Sequence, residues 1–320
     1  MPRKGVKFDL KLAINQIDLQ LATQGITTMF HSLTMANSTI CNNVRTIKPD
    51  DIFTLSKIIK KTNELLIRHK IHIRLELNTL DIYDSLIFYL NNNLIDELSF
   101  MDHTPGQGQY KDLSQFRKVI IQQYGNITLS EQDKIIEICS SKEKLNLDKI
   151  NYLIQVANNH NVPLAYHDVD NNSLIDWMKE NNIRICEFPL DIDTAKYSIS
   201  NKLYNVVGSP NILLGKSHYN NVSAITLIKE NLANILVSDY FSPSLLISIF
   251  KLYDDKILTL PNSVKLATLN PAKALGISDK YGSIEKNKKA DIIIIDNNYN
   301  IPKVIMTIIN GIIKYQANFQ

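Results

Sequence analysis

Acidic and imidazole side chains follow several short apolar runs of this chain, each at the point where a run ends. The residues at these points are Glu76, Asp102, His103, His167, Asp168, Glu187 and Asp239. Carboxylates and imidazoles bind divalent metal ions and transfer protons at neutral pH. Because the C-terminal ends of the strands of a parallel barrel converge on one face, the pattern predicts an active site built from distant parts of the chain.

A shell rich in carboxylates with one or more imidazoles suits a divalent ion, Zn²⁺, Mn²⁺ or Mg²⁺, and hydrolases use such ions to generate hydroxide. For any single acid at a strand end, a salt bridge or a helix cap is the commoner role, whereas the group together favours a metal site. We expect two ions in the complete enzyme. The predicted ligands are Glu76, His167, Asp168, Glu187 and Asp239.

Catalytic and substrate-binding residues are predicted at the same ends of the strands. Asp102, His103 and Asp239 are the predicted catalytic residues. The loop that follows His103 is rich in small residues and can present backbone N–H groups to an anion, although an ordinary turn is as good an interpretation. The predicted substrate contacts are His103, Gln107, Asn211, Lys216, Ser217 and His218.

The segment Lys216 to His218 resembles the end of a P-loop, but Pro210 stands where that motif requires glycine, which excludes a Walker A site. The segment follows a predicted strand at Tyr204, in the region where barrels often bind phosphate. The chain also has no Gly-x-Ser-x-Gly elbow and no early Gly-x-Gly-x-x-Gly. The simplest serine hydrolase and a dinucleotide site are therefore not supported.

Short β-branched and apolar runs alternate with segments of helical periodicity along most of the chain. This alternation predicts right-handed crossovers and an α/β fold with a parallel sheet, as in a TIM-type (β/α) barrel. His69 and His72 precede the second run and receive no role. Residues 110–161 are predicted to hold two or three helices, partly as a lid. The predicted strands begin at Ile26, Ile73, Leu98, Val162, Ile183, Tyr204 and Ile235.

A closed barrel of this class has eight strands, one more than the sequence predicts. Since the chain opens on a helical segment from Asp9 to Gln24, we expect the first strand to precede Met1. Residues 1–276 are thus predicted to be a hydrolase barrel that is incomplete at its N-terminus. Residues 277–320 are predicted to be a small β-hairpin or sandwich unit, with antiparallel segments at 281–284, 291–296 and 304–314. Within the last, Asn310 and Gly311 predict a type I′ turn.

Composition limits the classes of partner. The chain has 320 residues, 44% of them hydrophobic, and a formal net charge of +3 without a long basic run, so we expect a large core and no nucleic-acid partner. No apolar stretch is long enough for a membrane span, and no signal peptide is evident. Three well-separated cysteines predict reduced thiols. We expect a cytoplasmic protein that acts on a phosphorylated small molecule, and assembly into a homo-oligomer is left open.

Several of these segments together resemble a known family, the diphosphatases of the carbon–phosphorus lyase pathway, which belong to the amidohydrolase superfamily. The resemblance runs in order over nearly the whole chain, and its most specific block is Asp102 to Gln107. The other matching segments are 167–168, 187–189, 208–211, 217–218, 221–224 and 238–240, and the endings 270–274, 282–284 and 290–292 are similar to amidohydrolases in general.

The resemblance implies a metal-dependent hydrolase that releases diphosphate from α-D-ribose 1-methylphosphonate 5-triphosphate during phosphonate catabolism. It places Asp239 where the superfamily has its general base, and Glu76 where some members hold metal with a carboxylate. Glu187 stands where other members have a histidine, and Lys216 where many have a second glycine. It also implies a strand with a His-x-Asp-Asn motif before Met1, so part of the metal shell is expected outside this chain. The alternatives are an inactive truncated remnant and an amidohydrolase that cleaves a C–N bond.

Overall fold

A curled sheet of parallel strands forms the body of the molecule in a computed structural model that describes residues 8–36, 47–61, 64–215, 222–298 and 301–318. The strand order follows the chain from β1 to β7, as the alternation predicts, so that β1 and β7 are the two edges of the described sheet. The strands are β1 Thr28–Thr34, β2 Arg68–Glu76, β3 Glu97–Met101, β4 Leu164–His167, β5 Ile185–Glu187, β6 Tyr204–Gly208 and β7 Ile235–Val237.

Helices connect the strands and cover the outer face of the sheet. Three of them, α4 to α6, lie within residues 110–161, as expected, and Thr128 caps α5 through a reciprocal capping box with Glu131. The helices are α1 Leu10–Thr23, α2 Pro49–Lys61, α3 Tyr83–Asn91, α4 Leu113–Tyr124, α5 Leu129–Ser140, α6 Leu147–Asn159, α7 Asn172–Glu180, α8 Ile192–Ser200, α9 Ser209–Leu214, α10 Ala224–Lys229, α11 Ser244–Asp254, α12 Leu260–Ala267 and α13 Leu269–Ala274.

The two faces of β2 differ in chemistry because successive side chains of a strand point in opposite directions. Ile71, Ile73 and Leu75 belong to the main apolar core, which they share with the covering helices. The alternate residues, His72 and Arg74, instead contact side chains of β3, β4 and β5 on the concave face. The interior of the curled sheet is therefore partly polar, whereas a barrel interior is usually filled by branched apolar residues.

Strand β2 begins at Arg68, five residues before the predicted start at Ile73. His69 and His72 therefore lie within the strand instead of ahead of it. The reason is that basic and imidazole residues alternate with buried Ile71 and Ile73, so the strand has period-2 patterning and no continuous apolar run. This correction gives His72 a place in the interior.

A chain of ionisable groups lies beneath α1, on the outer face of the sheet. Buried Asp18 accepts hydrogen bonds from the backbone N–H groups of Leu66 and Ile67, at 2.7 and 2.9 Å, just before β2 begins. Its Oδ1 also lies 2.9 Å from Nε2 of His69, whose Nδ1 is 2.7 Å from Nε2 of His31. Burial, and then the neighbouring His69, lower the pKa of His31 to about 4. The trio thus holds His31 neutral inside the fold.

A small antiparallel sheet follows the last helices and consists of β8 Ile292–Asp296, β9 Lys303–Ile309 and β10 Ile312–Gln316. The predicted hairpin turn is confirmed, since Asn310 and Gly311 have φ values of 53° and 77° between β9 and β10, as a type I′ turn requires. The small sheet packs on helix α1, where the hydroxyl of Thr307 donates to the carbonyl of Ala22 at 2.8 Å.

The predicted strand at 281–284 is wrong, because these residues form a bend and not a strand. Gly282 has φ +92°, and a Cβ there would lie 2.8 Å from the Cβ of Ala272 and 3.0 Å from the Cα of Leu269. The segment is thus pressed against α13 in a conformation that favours glycine. The prediction failed because Tyr281 and Ile284 are residue types that favour strands, whereas the backbone at Gly282 between them is not extended.

Two expectations from composition meet different outcomes. None of the helices in the described ranges is long and apolar enough to cross a membrane. The expectation of reduced cysteines is wrong for Cys139, which is disulfide-bonded, while buried Cys186 is free. Separation along the sequence did not reveal this bond, because a disulfide depends on the proximity of two Cα atoms in the folded chain.

Candidate metal-binding site at the barrel mouth

The ends of β2, β3 and β4 bring four of the predicted residues together. Glu76 is the last residue of β2 and His167 the last of β4, while His103 and Asp168 follow β3 and β4. Parallel pairing aligns Glu76 with Met101 and His167 with Glu187. Neighbouring strands thus end at similar levels, and we call this group of four, Glu76, His103, His167 and Asp168, the mouth cluster.

His103 is the centre of the mouth cluster. Its Nδ1 lies 2.5 Å from Oε1 of Glu76, and its Nε2 lies 3.0 Å from Oδ2 of Asp168. Its backbone N–H also donates to Oε2 of Glu76 at 3.3 Å. One imidazole therefore bridges two carboxylates that come from different strands.

These contacts set the charges of the mouth cluster. Burial alone would lower the pKa of His103, but the charges of Glu76 and Asp168 and their hydrogen bonds raise it to about 10. Burial would likewise raise the pKa of Asp168, but His167 and His103 hold it well below its usual range. In the metal-free protein at neutral pH, the cluster therefore holds an imidazolium between two carboxylates.

The mouth cluster has the donor atoms of a metal site. Ligand atoms of His103, His167 and Asp168 lie within 4.8 Å of one another. The buried Nδ1 of His167 lies 3.0 Å from Oδ2 of Asp168. Two imidazoles and a carboxylate whose nitrogen and oxygen atoms lie this close fit a divalent ion. Binding at His103 would displace its proton, so affinity would rise with pH.

Glu187, the fourth predicted strand-end ligand, belongs to a different group. Its carboxylate approaches His72 of β2, with Oε1 3.9 Å from Nε2, and both residues form a metal-capable set with Glu97 of β3. The strands of such a barrel tilt by about 36° from the barrel axis. Residues that pair across neighbouring strands, ~4.8 Å apart, therefore lie at different heights along that axis. Over the three strand spacings from β2 to β5 the height difference is roughly 10 Å, about three residues. The strand-end residue of β5 therefore meets the middle of β2.

Sequence analysis missed His72 and Glu97, although a signal for them exists. Both belong to the polar half of a period-2 pattern, His72 with Arg74 in β2 and Glu97 with Ser99 in β3. Polar residues that alternate with a buried apolar face occupy the interior of a barrel. Burial, and then the charges of Glu187 and Asp96, raise the pKa of Glu97 well above its usual range.

The carboxylate of Asp102 holds the loop after β3. Its Oδ2 accepts a hydrogen bond from Nζ of Lys144 at 2.7 Å, and its Oδ1 accepts from the hydroxyl of Thr104 at 2.6 Å. Although burial alone would raise the pKa of Asp102, these bonds lower it. Gln107, the predicted substrate contact in this loop, is exposed and donates its backbone N–H to the carbonyl of Thr104.

Asp239 follows β7 and lies above the end of β6. A Cβ on Gly208 would lie 3.1 Å from Oδ2 of Asp239 and 3.5 Å from Cε1 of Phe188. The ring of Phe188 is in turn 5.0 Å from the ring of His167. The exposed Asp239 and the ring of Phe188 therefore both lie beside Gly208, and Phe188 also contacts the mouth cluster at His167. Nearby in α9, Asn211 has a buried Oδ1 without a hydrogen-bond partner among the described residues.

Three strand ends at this face have a left-handed backbone. Asp168, Phe188 and Asp239 have φ values of 58°, 55° and 51°. Positive φ is uncommon for residues other than glycine, and for a bulky residue such as phenylalanine it is a clear outlier. Strained positions of this kind concentrate at functional sites, so the backbone supports the same location as the side chains.

Arg74 is the cation on the floor of the mouth cluster. Its Nη2 donates to Nε2 of His167 at 3.1 Å, and its Nε lies 3.0 Å from the sulfur of Met101. In the described part of the chain, no carboxylate oxygen lies within 4.0 Å of its guanidinium nitrogens. A partly buried guanidinium without a carboxylate partner is suited to an anionic ligand. The other predicted anion contacts, Lys216, Ser217 and His218, lie outside the described residues.

Comparison with known proteins gives a consistent picture. The profile of the amidohydrolase family matches residues 140–314. Over 95% of its length the chain is 29% identical to α-D-ribose 1-methylphosphonate 5-triphosphate diphosphatase of Escherichia coli K12, of which it covers 81%. It is also 29% identical, over 62% of its length and 44% of the relative, to 5'-deoxyadenosine deaminase of Methanobrevibacter smithii. A crystal structure of a Xaa-Pro dipeptidase shares the fold at a TM-score of 0.60 and 12% identity, covering 99% of this chain and 82% of that one.

Proposed function

Because the chain belongs to the amidohydrolase family, we propose that it is a metal-dependent hydrolase that releases diphosphate from α-D-ribose 1-methylphosphonate 5-triphosphate. The observation that carries this proposal is the similarity to the diphosphatase of Escherichia coli, which extends over 95% of the chain. It spans every described strand end that contributes to the mouth cluster. The unpaired guanidinium of Arg74 supports an anionic substrate independently of that similarity.

The mouth cluster is the proposed place of a divalent ion, Zn²⁺, Mn²⁺ or Mg²⁺, held by His167 and Asp168 with Glu76 completing the protein ligands. When bound, such an ion lowers the pKa of a coordinated water and polarises a phosphoryl oxygen. Asp168, whose ordinary ionised form is favoured by its neighbours, supplies negative charge for the ion. Arg74 positions a phosphate oxygen of the substrate against the same cluster.

Hydrolysis requires that water add to the phosphorus that stays on the ribose, while the bond from that phosphorus to the oxygen of the diphosphate breaks. We propose that Asp239 accepts the proton of the attacking water, since it is an exposed carboxylate beside the mouth cluster. His103 holds a proton between Glu76 and Asp168 and can donate it to the departing oxygen. Asp102 keeps the loop of His103 in place through Lys144 and Thr104.

Hydrolysis of a C–N bond is the second proposed function. The similarity to 5'-deoxyadenosine deaminase over 62% of the chain favours it, because the same mouth cluster and a water nucleophile would serve either reaction. The two proposals differ in the need for Arg74. A triphosphate gains a charge-assisted contact from the guanidinium, whereas an uncharged nucleoside does not.

A direct assay separates these proposals. The purified protein is loaded in turn with Zn²⁺, Mn²⁺ and Mg²⁺ and given the 5-triphosphate, with release of diphosphate followed by ³¹P NMR. Parallel reactions contain 5'-deoxyadenosine, with ammonia as the product measured. Diphosphate release supports the first proposal. Ammonia release without diphosphate supports the second, and a folded, metal-loaded protein that turns over neither substrate would contradict both and favour an inactive remnant.

A further inference from the structure

A second group of metal-capable side chains lies inside the curled sheet. It consists of His72 in β2, Glu97 at the start of β3 and Glu187 at the end of β5, with exposed fractions of 5%, 6% and 8%. Their ligand atoms lie within 4.8 Å of one another, and the group shares no residue with His103, His167 and Asp168. We call these three residues the interior cluster.

The interior cluster has two buried carboxyl groups and no cationic side chain beside them. Among the described residues, no lysine or arginine nitrogen lies within 4.0 Å of either carboxyl group. Two buried carboxyl groups this close cannot both stay ionised without a cation. A bound divalent ion would therefore replace the proton that the two groups otherwise share.

One carboxylate oxygen of the interior cluster also lacks a partner. Oε2 of Glu187 is buried and accepts no hydrogen bond from the described residues. The other oxygen, Oε1, lies 3.9 Å from Nε2 of His72, so the carboxylate lies beside the imidazole. A buried oxygen with unused lone pairs calls for an explanation, and an ion is one of the common ones.

The spacing of the donors agrees with a first-row divalent ion. Ligands about 2.1 Å from a tetrahedral zinc lie roughly 3.4 Å apart. Nδ1 of His72 lies 3.5 Å from Oε2 of Glu97, so this pair already has the required separation. The ring of His72 is oriented by the hydroxyl of Ser99, 2.9 Å from Nε2. Such an outer contact is typical of a histidine that binds metal.

We propose that His72, Glu97 and Glu187 bind a divalent cation, Zn²⁺ or Mn²⁺, inside the barrel and separate from the ion at the mouth cluster. The two carboxylates balance the charge of the ion, and the imidazole supplies a nitrogen ligand. Because the three residues come from β2, β3 and β5, the ion joins strands that are not all neighbours. Its role is therefore to stabilise the sheet beneath the mouth cluster.

The test is metal stoichiometry, which does not depend on any activity. Wild-type protein and the Glu97→Gln variant are saturated with Zn²⁺, freed of excess by gel filtration and analysed by plasma mass spectrometry. Glu97→Gln keeps the size of the side chain and removes its charge. We expect two ions per wild-type chain and one per variant chain. Glu180→Gln, an exposed change at the end of α7, is the matched control and should keep both ions.

The mouth variant Asp168→Asn completes the experiment. We expect Asp168→Asn to bind one ion, at the interior cluster. The double variant, Asp168→Asn with Glu97→Gln, should bind none. If Glu97→Gln does not fold, Co²⁺ absorption of Asp168→Asn still shows whether a second site with nitrogen and oxygen ligands remains. Unchanged zinc content in Glu97→Gln would overturn the proposal, and so would Asp168→Asn protein without bound metal. A more stable Glu97→Gln protein with unchanged metal content would identify the interior cluster as a pair that shares a proton.

Discussion

Asp168 has contacts with both imidazoles of the mouth cluster, since Oδ2 is 3.0 Å from Nε2 of His103 and from Nδ1 of His167. Replacement by asparagine keeps the shape and removes the charge that both rings face. We predict that Asp168→Asn lowers kcat/KM for the triphosphate by about 10²-fold, because the proposed ion loses a charged ligand. Asp170→Asn, two residues further along, is the control, and equal rates for both variants would remove Asp168 from the mechanism.

Arg74 allows a separate prediction about the substrate. A hydrogen bond to a charged group contributes about 1.5–3 kcal/mol, so Arg74→Gln should raise KM for the triphosphate by roughly 10- to 100-fold. The turnover of an uncharged nucleoside, if the protein has it, should change little. Steady-state kinetics measures both effects. Arg184→Gln, an exposed change, should leave KM unaltered, and an unchanged KM in Arg74→Gln would show that the guanidinium does not contact phosphate.

His31 connects a single residue to the pH dependence of stability. Its pKa is about 4 in the folded protein and 6.5 ordinarily, so the unfolded chain binds more protons between these values. Unfolding free energy therefore rises with pH from about 4 to 6.5, and His31 accounts for about 3 kcal/mol of that rise. We predict a flatter profile for His31→Gln, measured by urea unfolding at several pH values. His160→Gln, at the end of α6, should leave the profile unchanged.

At the scale of elements, the turn at Gly282 determines how the C-terminal unit meets α13. An added Cβ would lie 2.8 Å from the Cβ of Ala272, closer than carbon atoms approach in folded proteins. Gly282→Ala should therefore lower the unfolding free energy by roughly 2–3 kcal/mol, from strain and overpacking together. Gly276→Ala is the matched control, because its φ is +69° and no atom lies within 4 Å of the added Cβ. If urea unfolding shows the same loss of unfolding free energy in both variants, contact with Ala272 does not determine the effect at Gly282.

Sequence patterns predicted these elements unevenly, for physical reasons. β6 at Tyr204–Gly208 agrees with its prediction because an aromatic residue and two adjacent valines favour an extended backbone and Gly208 follows them. β2 was predicted to begin too late because its inward-facing residues are polar. The part of the strand before Ile73, which was not predicted, contains His72. In the site itself, Glu76, His103, His167 and Asp168 were predicted to converge and do so. The tilt that carries Glu187 to His72 is a property of the whole sheet, which one-dimensional spacing does not contain.

At the scale of the whole molecule, the two faces of the large sheet make different contributions to stability. Apart from the chain of Asp18, His69 and His31, the outer face is apolar and packs against helices, whereas the concave face holds the two clusters that we propose bind cations. Removal of metal by a chelator should therefore lower Tm. With free metal at about 100 times Kd, binding contributes ~2.7 kcal/mol, which corresponds to roughly 5 °C. Differential scanning calorimetry measures this shift, and restored Zn²⁺ should reverse it. An unchanged Tm would show that neither cluster binds metal.

The left-handed backbone of Asp168, Phe188 and Asp239 has a consequence for protein engineering. Glycine or asparagine adopts such angles more easily than these residues do. A library screened only for survival at high temperature would therefore accumulate replacements at these three positions. The selected variants would be more stable to heat but less active, because the geometry at the barrel mouth would have changed. Directed evolution of this chain toward thermal resistance consequently needs a simultaneous screen for turnover, or these three codons must be held fixed.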